Sequence, residues 1–266
     1  MISFYRISAV ALRHLIPLKR TTWLLEISYW TLLDIIVFGL MGKATALMSA
    51  NNDPVAMHVL IVNAILWFAV LRRGALATGF TLLNELFDVN LTALFATPLR
   101  CIEWLIAAVV VGSISAMINL TAGWILALIV FGYNILALGA PTVALIGSLV
   151  LASWAIGLVL MSILLMVGKT GVESAFVICW TLVPLSCVYY PIDVLPLFVQ
   201  KIALCIPMTH VFIAIRTIIA TGSCSWTPIA VSFLLDILYL CLAIAVFIVM
   251  FTRSKKRGLA RLELEW

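Results

Sequence analysis

The chain has 266 residues, of which 65% are hydrophobic and 10% charged, and its mean hydropathy is +1.24. A soluble domain carries about 25% charged residues, so this composition excludes a soluble globular protein and indicates an integral membrane protein. The net charge of +5 gives no indication of a nucleic-acid partner, because the basic residues flank apolar runs.

Residues 1–22 are predicted to form an amphipathic interfacial helix. Arg6, Arg13 and Arg20 recur every seven residues and therefore share one stripe of a helix. A basic stripe beside an apolar face is typical of a helix that lies in the membrane surface. A signal peptide fits poorly, since Arg13 and His14 interrupt the apolar region and no small-residue cleavage site follows.

Residues 23–252 are predicted to form a six-span transmembrane domain. About 20 apolar residues at 1.5 Å each cross the hydrocarbon core, and the stretch between Glu103 and Lys169, which contains no charged residue, holds two spans. The predicted spans are about 23–42, 54–71, 101–131, 141–168, 172–188 and 226–252.

Two long segments between the spans are too polar or too broken to cross comfortably. Residues 74–100 are predicted to be cytoplasmic, with a short amphipathic helix that ends at Pro98. Residues 189–225 contain Pro191, Pro196 and Pro207, which favour two broken, re-entrant helices at the outer face over a full span. The fold class predicted is therefore an all-α membrane protein with six transmembrane helices, an N-terminal interfacial helix and broken re-entrant helices before the last span.

Basic residues predict the orientation of these spans. With both termini cytoplasmic, including the tail 253–266, most Lys and Arg residues lie inside and only Lys43, Lys201 and Arg216 lie outside, as the positive-inside rule requires. We expect a multi-pass protein of a bacterial plasma or inner membrane.

Gly168-Lys169-Thr170 resembles the end of a phosphate-binding loop. That loop requires glycine five residues earlier, where this chain has Ile163. The triplet is therefore predicted to be a polar turn between two spans, and no nucleotide site is expected in this chain.

Acidic residues inside the spans are candidates for a translocation path. Glu26, Trp30 and Asp34 are spaced by four residues in span 1 and share one helical face. Intramembrane charges usually face a protein interior or a watery cavity, so these residues line a path or form a structural pair with a neighbouring helix. The same two alternatives apply to Asp236 in span 6.

The predicted cytoplasmic helix at 80–98 is a candidate contact for a partner. Its apolar residues recur at helical spacing, whereas Glu85 and Asp88 are expected on the other face. It is either a docking surface or a simple connection between spans. Tyr189 and Tyr190, where span 5 meets the re-entrant segment, either anchor at the interface or belong to an outer gate.

No catalytic or metal-binding motif is found. His14, His58 and His210 lie on three different predicted elements, and no H-E-x-x-H, G-x-S-x-G or C-x-x-C pattern occurs. A disulfide among Cys187, Cys205 and Cys224 is left open. The chain is therefore expected to be a non-enzymatic subunit, although a site assembled from distant segments stays an alternative.

Two stretches resemble the membrane subunit of ABC-2 type exporters. "NELFDVNLTALFATPLRCIEWLIA", at 84–107, is similar to that family's acidic and leucine-rich segment that leads through Thr-Pro-Leu into span 3. "PLSCVYYPIDVLPLFVQKIALCIPMTHVFIAIR", at 184–216, is similar to its Tyr-Pro, Leu-Pro and Pro-x-Thr-His stretch followed by arginine. The family usually has glycine shortly before Tyr-Pro, whereas this chain has Ser186-Cys187-Val188.

The resemblance implies a homodimer in membrane lipid with two copies of a cytoplasmic ABC ATPase, which bind ATP and Mg. It implies that the helix near 82–92 is the coupling helix and that the substrate moves outward past spans 1, 2 and 5. In the residues of this chain, it makes Glu85, Phe87 and Asp88 the ATPase contacts, Glu26, Trp30 and Asp34 the path, and Tyr189, Tyr190, Pro191 and His210 the outer gate.

Two other function classes are compatible with the sequence. A secondary, ion-coupled transporter would use Glu26 and Asp34, although no clear internal repeat supports it. An intramembrane enzyme acting on lipids would need a polar cluster shared by several spans. Within the exporter reading, drugs, lipids and glycans all fit as cargo, each as an amphiphilic substrate.

Overall fold

The computed structural model describes residues 4–15, 21–48 and 54–258, and over these ranges it is helical with no strand. The side chains of 21–27, 46, 54–57, 137 and 169 lie outside the description. The helices are α1 Phe4–Leu15, α2 Thr21–Met48, α3 Pro54–Ala64, α4 Arg73–Phe87, α5 Leu91–Ala96, α6 Cys101–Phe131, α7 Pro141–Val167, α8 Val172–Leu185, α9 Leu197–Leu204, α10 Pro207–Thr221 and α11 Trp226–Arg257. A π-helical segment, Ile65–Arg72, joins α3 to α4, and short 3₁₀ turns occupy Ile135–Leu138, Gly168–Gly171 and Ile192–Val194.

Apolar helices of membrane-crossing length dominate the described residues. Four qualify, and they are His58–Phe87, Cys101–Phe131, Pro141–Val167 and Trp226–Arg257. The pair α9 and α10, bent by 99°, would make a fifth if it counts as one span. The prediction of an all-α, apolar multi-helix protein is thus confirmed, whereas the count of six spans stays a prediction. Neither α2 nor the 14-residue α8 is among the qualifying helices.

The ends of α6 and α7 follow from residues at their termini. Glu103 Oε2 accepts a hydrogen bond from the backbone N–H of Arg100 at 3.0 Å, which satisfies a donor that the helix start would otherwise leave unpaired. Gly132, with φ 66°, ends α6 in the left-handed conformation. Pro141 occupies the first turn of α7, where its missing N–H has no cost.

The α4 helix differs from the sequence-based prediction. Residues 73–87 continue the apolar helix that starts at α3, instead of forming a separate short helix, and 78% of the most apolar window of His58–Phe87 is buried. The cytoplasmic placement of this segment stays a prediction. The reason is close helix packing through small residues, which allow backbones to approach in membranes. A Cβ added at Gly157 of α7 would lie 2.6 Å from Thr78 Cβ and 3.0 Å from the Ala75 carbonyl oxygen.

The main apolar core surrounds the π-helical segment. The side chains from Ile65 to Leu71 are all buried, and they pack with Phe212 of α10 and with Leu145 and Leu149 of α7. A second core joins the far end of α4 to α6, α7 and α11 around Trp104 and Phe247. The π-helical segment is therefore held on several sides by other helices.

The N-terminal helix α1 packs on α6. Ala11 is buried against Ala107 and Val111, whereas Phe4 and Tyr5 are 77% and 86% exposed. One face thus contacts the protein and the other carries exposed aromatic side chains. Contact of that outer face with a membrane surface stays a prediction.

Candidate functional site

An ion pair joins two helices near the middle of the bundle. Arg72 Nη2 of the π-helical segment donates to Asp34 Oδ2 of α2 at 2.7 Å. The two side chains are 15% and 19% exposed, respectively. Because π-helical turns change which face a side chain occupies and are frequent at functional sites, the geometry marks Arg72 as a residue of interest. Asp34 therefore has a defined structural partner.

Aromatic rings surround the guanidinium of Arg72. Its Cζ lies 4.5 Å from the centroid of the Phe68 ring and 5.8 Å from that of Trp180. A guanidinium near aromatic faces is attracted by the ring quadrupole, and the attraction grows when water is excluded. The rings and Asp34 together make an arginine tolerable in an apolar bundle.

An aromatic stack continues from this pair toward the predicted outer segment. Phe38, one turn after Asp34, stacks on Tyr189 with ring centroids 4.2 Å apart and on Phe68 with centroids 5.5 Å apart. Both arrangements are nearly parallel, with interplanar angles of 12° and 20°. The stack Tyr189–Phe38–Phe68, here called the aromatic plug, therefore fills the space between α2, the π-helical segment and the loop after α8.

A cleft of about 600 Å³ is lined in part by Arg72 of this ion pair. This central cleft is bordered by α1, α2, α4, α6 and α8, and its lining includes His14, Trp30, Arg72, Arg73, Phe80 and Trp180. The described lining combines basic groups, aromatic rings and hydroxyl groups, but contains no Asp or Glu. Such a mixture suits a ligand with both polar and apolar parts.

The three predicted path residues lie in different surroundings or, for Glu26, outside the described side chains. Trp30 is 64% exposed, lines the central cleft and meets Tyr29 edge to face at 5.6 Å. Asp34 lies one turn further along α2 and is bound to Arg72. The Glu26 side chain lies outside the described ones. The structure thus places Trp30 in the lining of the cleft and Asp34 against Arg72, which also lines it.

Of the predicted gate residues, only Tyr189 belongs to the aromatic plug. The Tyr190 hydroxyl donates to the Pro184 carbonyl at 2.6 Å, and His210 Nε2 lies 2.8 Å from the Leu204 carbonyl oxygen. Pro191 is exposed at the start of the turn Ile192–Val194. These contacts are local, so the structure does not gather the four residues into one cluster.

Two residues that sequence reasoning missed hold the loop below Tyr189. Asn63 Nδ2 donates to the Val188 carbonyl at 2.6 Å, and Arg216 Nη2 donates to the carbonyls of both Val188, at 3.0 Å, and Cys187. Buried carbonyls need such donors. Arg216 was identifiable from the sequence as a charge in an apolar segment and as the arginine after Pro-x-Thr-His, but neither pattern indicated the carbonyls that it binds.

The three predicted coupling residues differ in burial, since Glu85 is buried whereas Phe87 and Asp88 are exposed. Glu85 is 1% exposed, and its carboxylate lies 3.3 Å from Arg13 Nη2 and 3.2 Å from His14 Nε2, both on α1. The prediction that Glu85 and Asp88 share an exposed polar face is therefore wrong for Glu85, because its charge is compensated by α1. Asp88 is exposed and Phe87 is 56% exposed at the end of α4.

A second contact ties α1 to the start of α6. Arg6 Nη1 donates to the Pro98 carbonyl at 2.5 Å and lies 3.6 Å from Glu103 Oε2. The chain from Phe87 to Pro98 thus begins and ends at positions fixed by α1. The short helix α5, Leu91–Ala96, and the turn before it form a compact tip between these two ties.

The described part of the chain contains neither a disulfide nor a cluster of metal-ligating side chains. All six cysteines are described and free. Among the described residues, no three His, Cys, Asp or Glu side chains come together in a way that would hold a metal ion. The Gly168–Gly171 turn, where the sequence resembled part of a phosphate loop, is a single 3₁₀ turn between α7 and α8.

Comparison of the sequence with models of known protein families gives no match, and comparison with curated proteins gives none either. The residues and their arrangement are therefore the basis for the function proposed next.

Proposed function

We propose that this chain is the membrane-spanning subunit of an ABC exporter, which moves an amphiphilic substrate outward and is powered by a separate ATPase. The proposal rests on the central cleft, which Arg72 lines, and on the contacts of Arg72 with Asp34 and with Phe68 of the aromatic plug. A transport subunit needs an entrance that holds substrate and a barrier that closes the far side. In this proposal the cleft is the entrance and the plug is the barrier, and Arg72 contacts both.

In this proposal the tip at the end of α4 is the ATPase contact. Phe87 and Asp88 are exposed there, and the ties of Glu85 to Arg13 and His14 make the tip rigid relative to α1. Glu85 then positions the contact without touching the ATPase. The chain's one likeness to a phosphate loop is a short turn, so ATP and Mg are assigned to the partner.

A dimer in a bacterial plasma or inner membrane completes the proposal, with both termini cytoplasmic and α9 and α10 at the outer face. The helices α2 and α8, which border the central cleft, also carry exposed apolar residues such as Val37, Leu40 and Val177. In this proposal these exposed residues contact a second copy or lipid.

The experiment is a pull-down of the tagged, full-length protein in mild detergent, followed by mass spectrometry and an ATPase assay in vesicles. We expect a stoichiometric partner that carries a complete phosphate loop. Protein that purifies alone from its own membranes and transports without any ATPase would overturn the proposal.

The ion-coupled alternative keeps one specific observation in its favour, the paired intramembrane carboxylate of Asp34. Intramembrane acids often belong to ion pathways or proton relays. In this alternative Asp34 binds Arg72 in one state and a proton or sodium ion in another. Transport that depends on an ion gradient, persists without ATP and is lost in Asp34→Asn would favour this alternative.

A further inference from the structure

A buried polar chain links three helices away from the central cleft. Asp236 and Ser232 lie one turn apart on α11, and Ser148 lies opposite on α7; all three are 0% exposed. The chain ends at the carbonyl of Pro207, the first residue of α10. The proposed function uses none of these groups.

Three short oxygen–oxygen contacts make up the chain. Asp236 Oδ2 lies 2.5 Å from Ser148 Oγ, Ser148 Oγ lies 2.7 Å from Ser232 Oγ, and Ser232 Oγ lies 2.8 Å from the Pro207 carbonyl oxygen. These distances are typical of O–H···O hydrogen bonds. Each contact therefore needs one proton between its two oxygens.

Counting the protons identifies the ionisation state of Asp236. A carbonyl oxygen only accepts, and each serine hydroxyl supplies a single proton. Ser148 and Ser232 thus supply two protons for three bonds. An ionised Asp236 would leave one oxygen pair in close contact without a proton, so the third proton belongs to the Asp236 carboxyl.

One arrangement uses every proton once. The Asp236 carboxyl donates to Ser148, Ser148 donates to Ser232, and Ser232 donates to Pro207. Asp236 Oδ1 is buried with no hydrogen-bond partner among the described residues. This is tolerable for a neutral acid and costly for a carboxylate, whose charge would be spread over both oxygens.

Neighbouring titratable and charged groups on the packed helices are engaged elsewhere. The Tyr239 hydroxyl on α11 donates to the Cys205 carbonyl at 3.1 Å. On α10, His210 Nε2 lies against the Leu204 carbonyl, and Arg216 binds the Cys187 and Val188 carbonyls. On α7, residues 141–167 contain no charged residue. No described cation therefore forms an ion pair with Asp236.

We propose that Asp236 is a proton-binding site whose protonated form fastens the start of α10 to α7 and α11. Pro207 lies at the 99° bend between α9 and α10, so the chain of hydrogen bonds holds that bend. Loss of the proton leaves the chain one hydrogen short and creates a buried anion. Either effect weakens the attachment of α10.

Exchange of the proton has a structural route. A cavity of about 330 Å³ borders Asp236, Pro207 and Tyr239 and is otherwise lined mainly by aliphatic side chains. Because the Asp236 side chain itself is 0% exposed, exchange of the proton needs a small local movement that opens this cavity to the carboxyl. The site is independent of the ATPase proposed above, and it stands or fails separately from it.

Infrared difference spectroscopy of the full-length protein in nanodiscs tests the site, with Asp236→Asn as the probe and Asp193→Asn as the control. Asp193 is an exposed acid in the turn after α8. We expect the C=O band of a protonated carboxylic acid at neutral pH in the wild type and in Asp193→Asn. That band should be absent in Asp236→Asn and shifted in Ser148→Ala, where its acceptor is removed.

A stability measurement keeps the test decisive if a variant expresses poorly. Asparagine keeps a donor and is neutral, so Asp236→Asn should unfold at the same temperature as the wild type below about pH 4, where the unfolded state also holds the Asp236 proton. The wild type should become progressively less stable than the variant as pH rises, because the folded state holds a proton that the unfolded state releases. A band that persists in Asp236→Asn, or parallel pH profiles for the two proteins, would overturn the proposal.

Discussion

Removal of both members of the Asp34–Arg72 ion pair should destabilise the protein by less than the sum of the two single removals. Asp34→Asn leaves the Arg72 guanidinium without its counter-charge, and Arg72→Gln leaves the Asp34 carboxylate without its donor. The side chains are only 19% and 15% exposed, so water replaces the lost partner poorly. The double variant removes both charges and keeps polar groups that can bond to each other.

The distance gives the size of the effect. At 2.7 Å, two unit charges attract by about 6 kcal/mol at an effective dielectric constant of about 20. Desolvation of both groups and their partial exposure offset most of this attraction, so we expect a coupling free energy of about 2 kcal/mol. Each single variant should lose about 3 kcal/mol, which corresponds to a fall of roughly 6–12 °C in the unfolding midpoint for a chain of this size.

The assay is thermal unfolding, monitored by circular dichroism in one detergent, of the wild type, the two single variants and the double variant. Lys43→Gln serves as the matched control, because it removes an exposed charge from the same helix and should leave the midpoint within 2 °C or so. If the free-energy losses of the single variants simply add in the double variant, the two residues are not coupled. Single variants as stable as Lys43→Gln would equally refute the reasoning.

Three other expectations concern the tip, the helix packing and the topology. Asp88→Lys with Phe87→Ala should abolish co-purification with the ATPase and leave the melting temperature unchanged, whereas Glu85→Gln should lower stability by about 1–3 kcal/mol because Glu85 is buried under α1; the reverse pattern would assign the contact to Glu85. Gly157→Leu should destabilise by about 1–3 kcal/mol through overpacking against Thr78, and Gly147→Leu, where a Cβ would meet only Phe233 at 3.6 Å, is the control that should melt close to the wild type. Cysteines placed one at a time at 195–200, after replacement of the six native cysteines, should react with an impermeant reagent from outside only; reaction from the cytoplasmic side would contradict the re-entrant topology.

Sequence patterns predicted best where a helix is apolar along its whole length. The predicted spans at 101–131 and 141–168 coincide with Cys101–Phe131 and Pro141–Val167 to within one residue. Glycine and proline mark these ends, and no charge interrupts the interior. The apolar runs and the residues that bound them are therefore enough to place both helices.

The continuation of the helix from α3 into α4 was not predicted, because hydropathy does not describe packing. Gly74, Thr78 and Gly79 lower the apolar content of this stretch, yet their small size lets α4 approach α6 and α7 closely. A hydropathy scale counts such residues as weakly polar. Their value in this helix lies in contacts with Gly112 and Gly157, which are distant in sequence.

The site was predictable in part for a related reason. Asp34 and Trp30 were identifiable because a charge and a ring in an apolar run are unusual, but the partner of Asp34 was not. Arg72 was treated as the cytoplasmic end of a span, since Arg72 and Arg73 together are typical of such an end. Only the continuation of the helix beyond Arg73 moves this arginine into the bundle.

This continuation connects the two parts of the proposed mechanism. The helix α4 extends from Arg73 beside the ion pair to Phe87 at the tip, and its 15 residues span roughly 22 Å at 1.5 Å per residue. Close packing against α6 and α7 makes it a rigid element, and the π-helical turns of Ile65–Arg72, a form frequent at functional sites, lie between it and α3. A displacement at Phe87 and Asp88 would therefore be carried along α4 and taken up next to Arg72. Since Arg72 contacts both Asp34 and Phe68 of the aromatic plug, the proposed mechanism directs movement at the ATPase contact toward the aromatic plug.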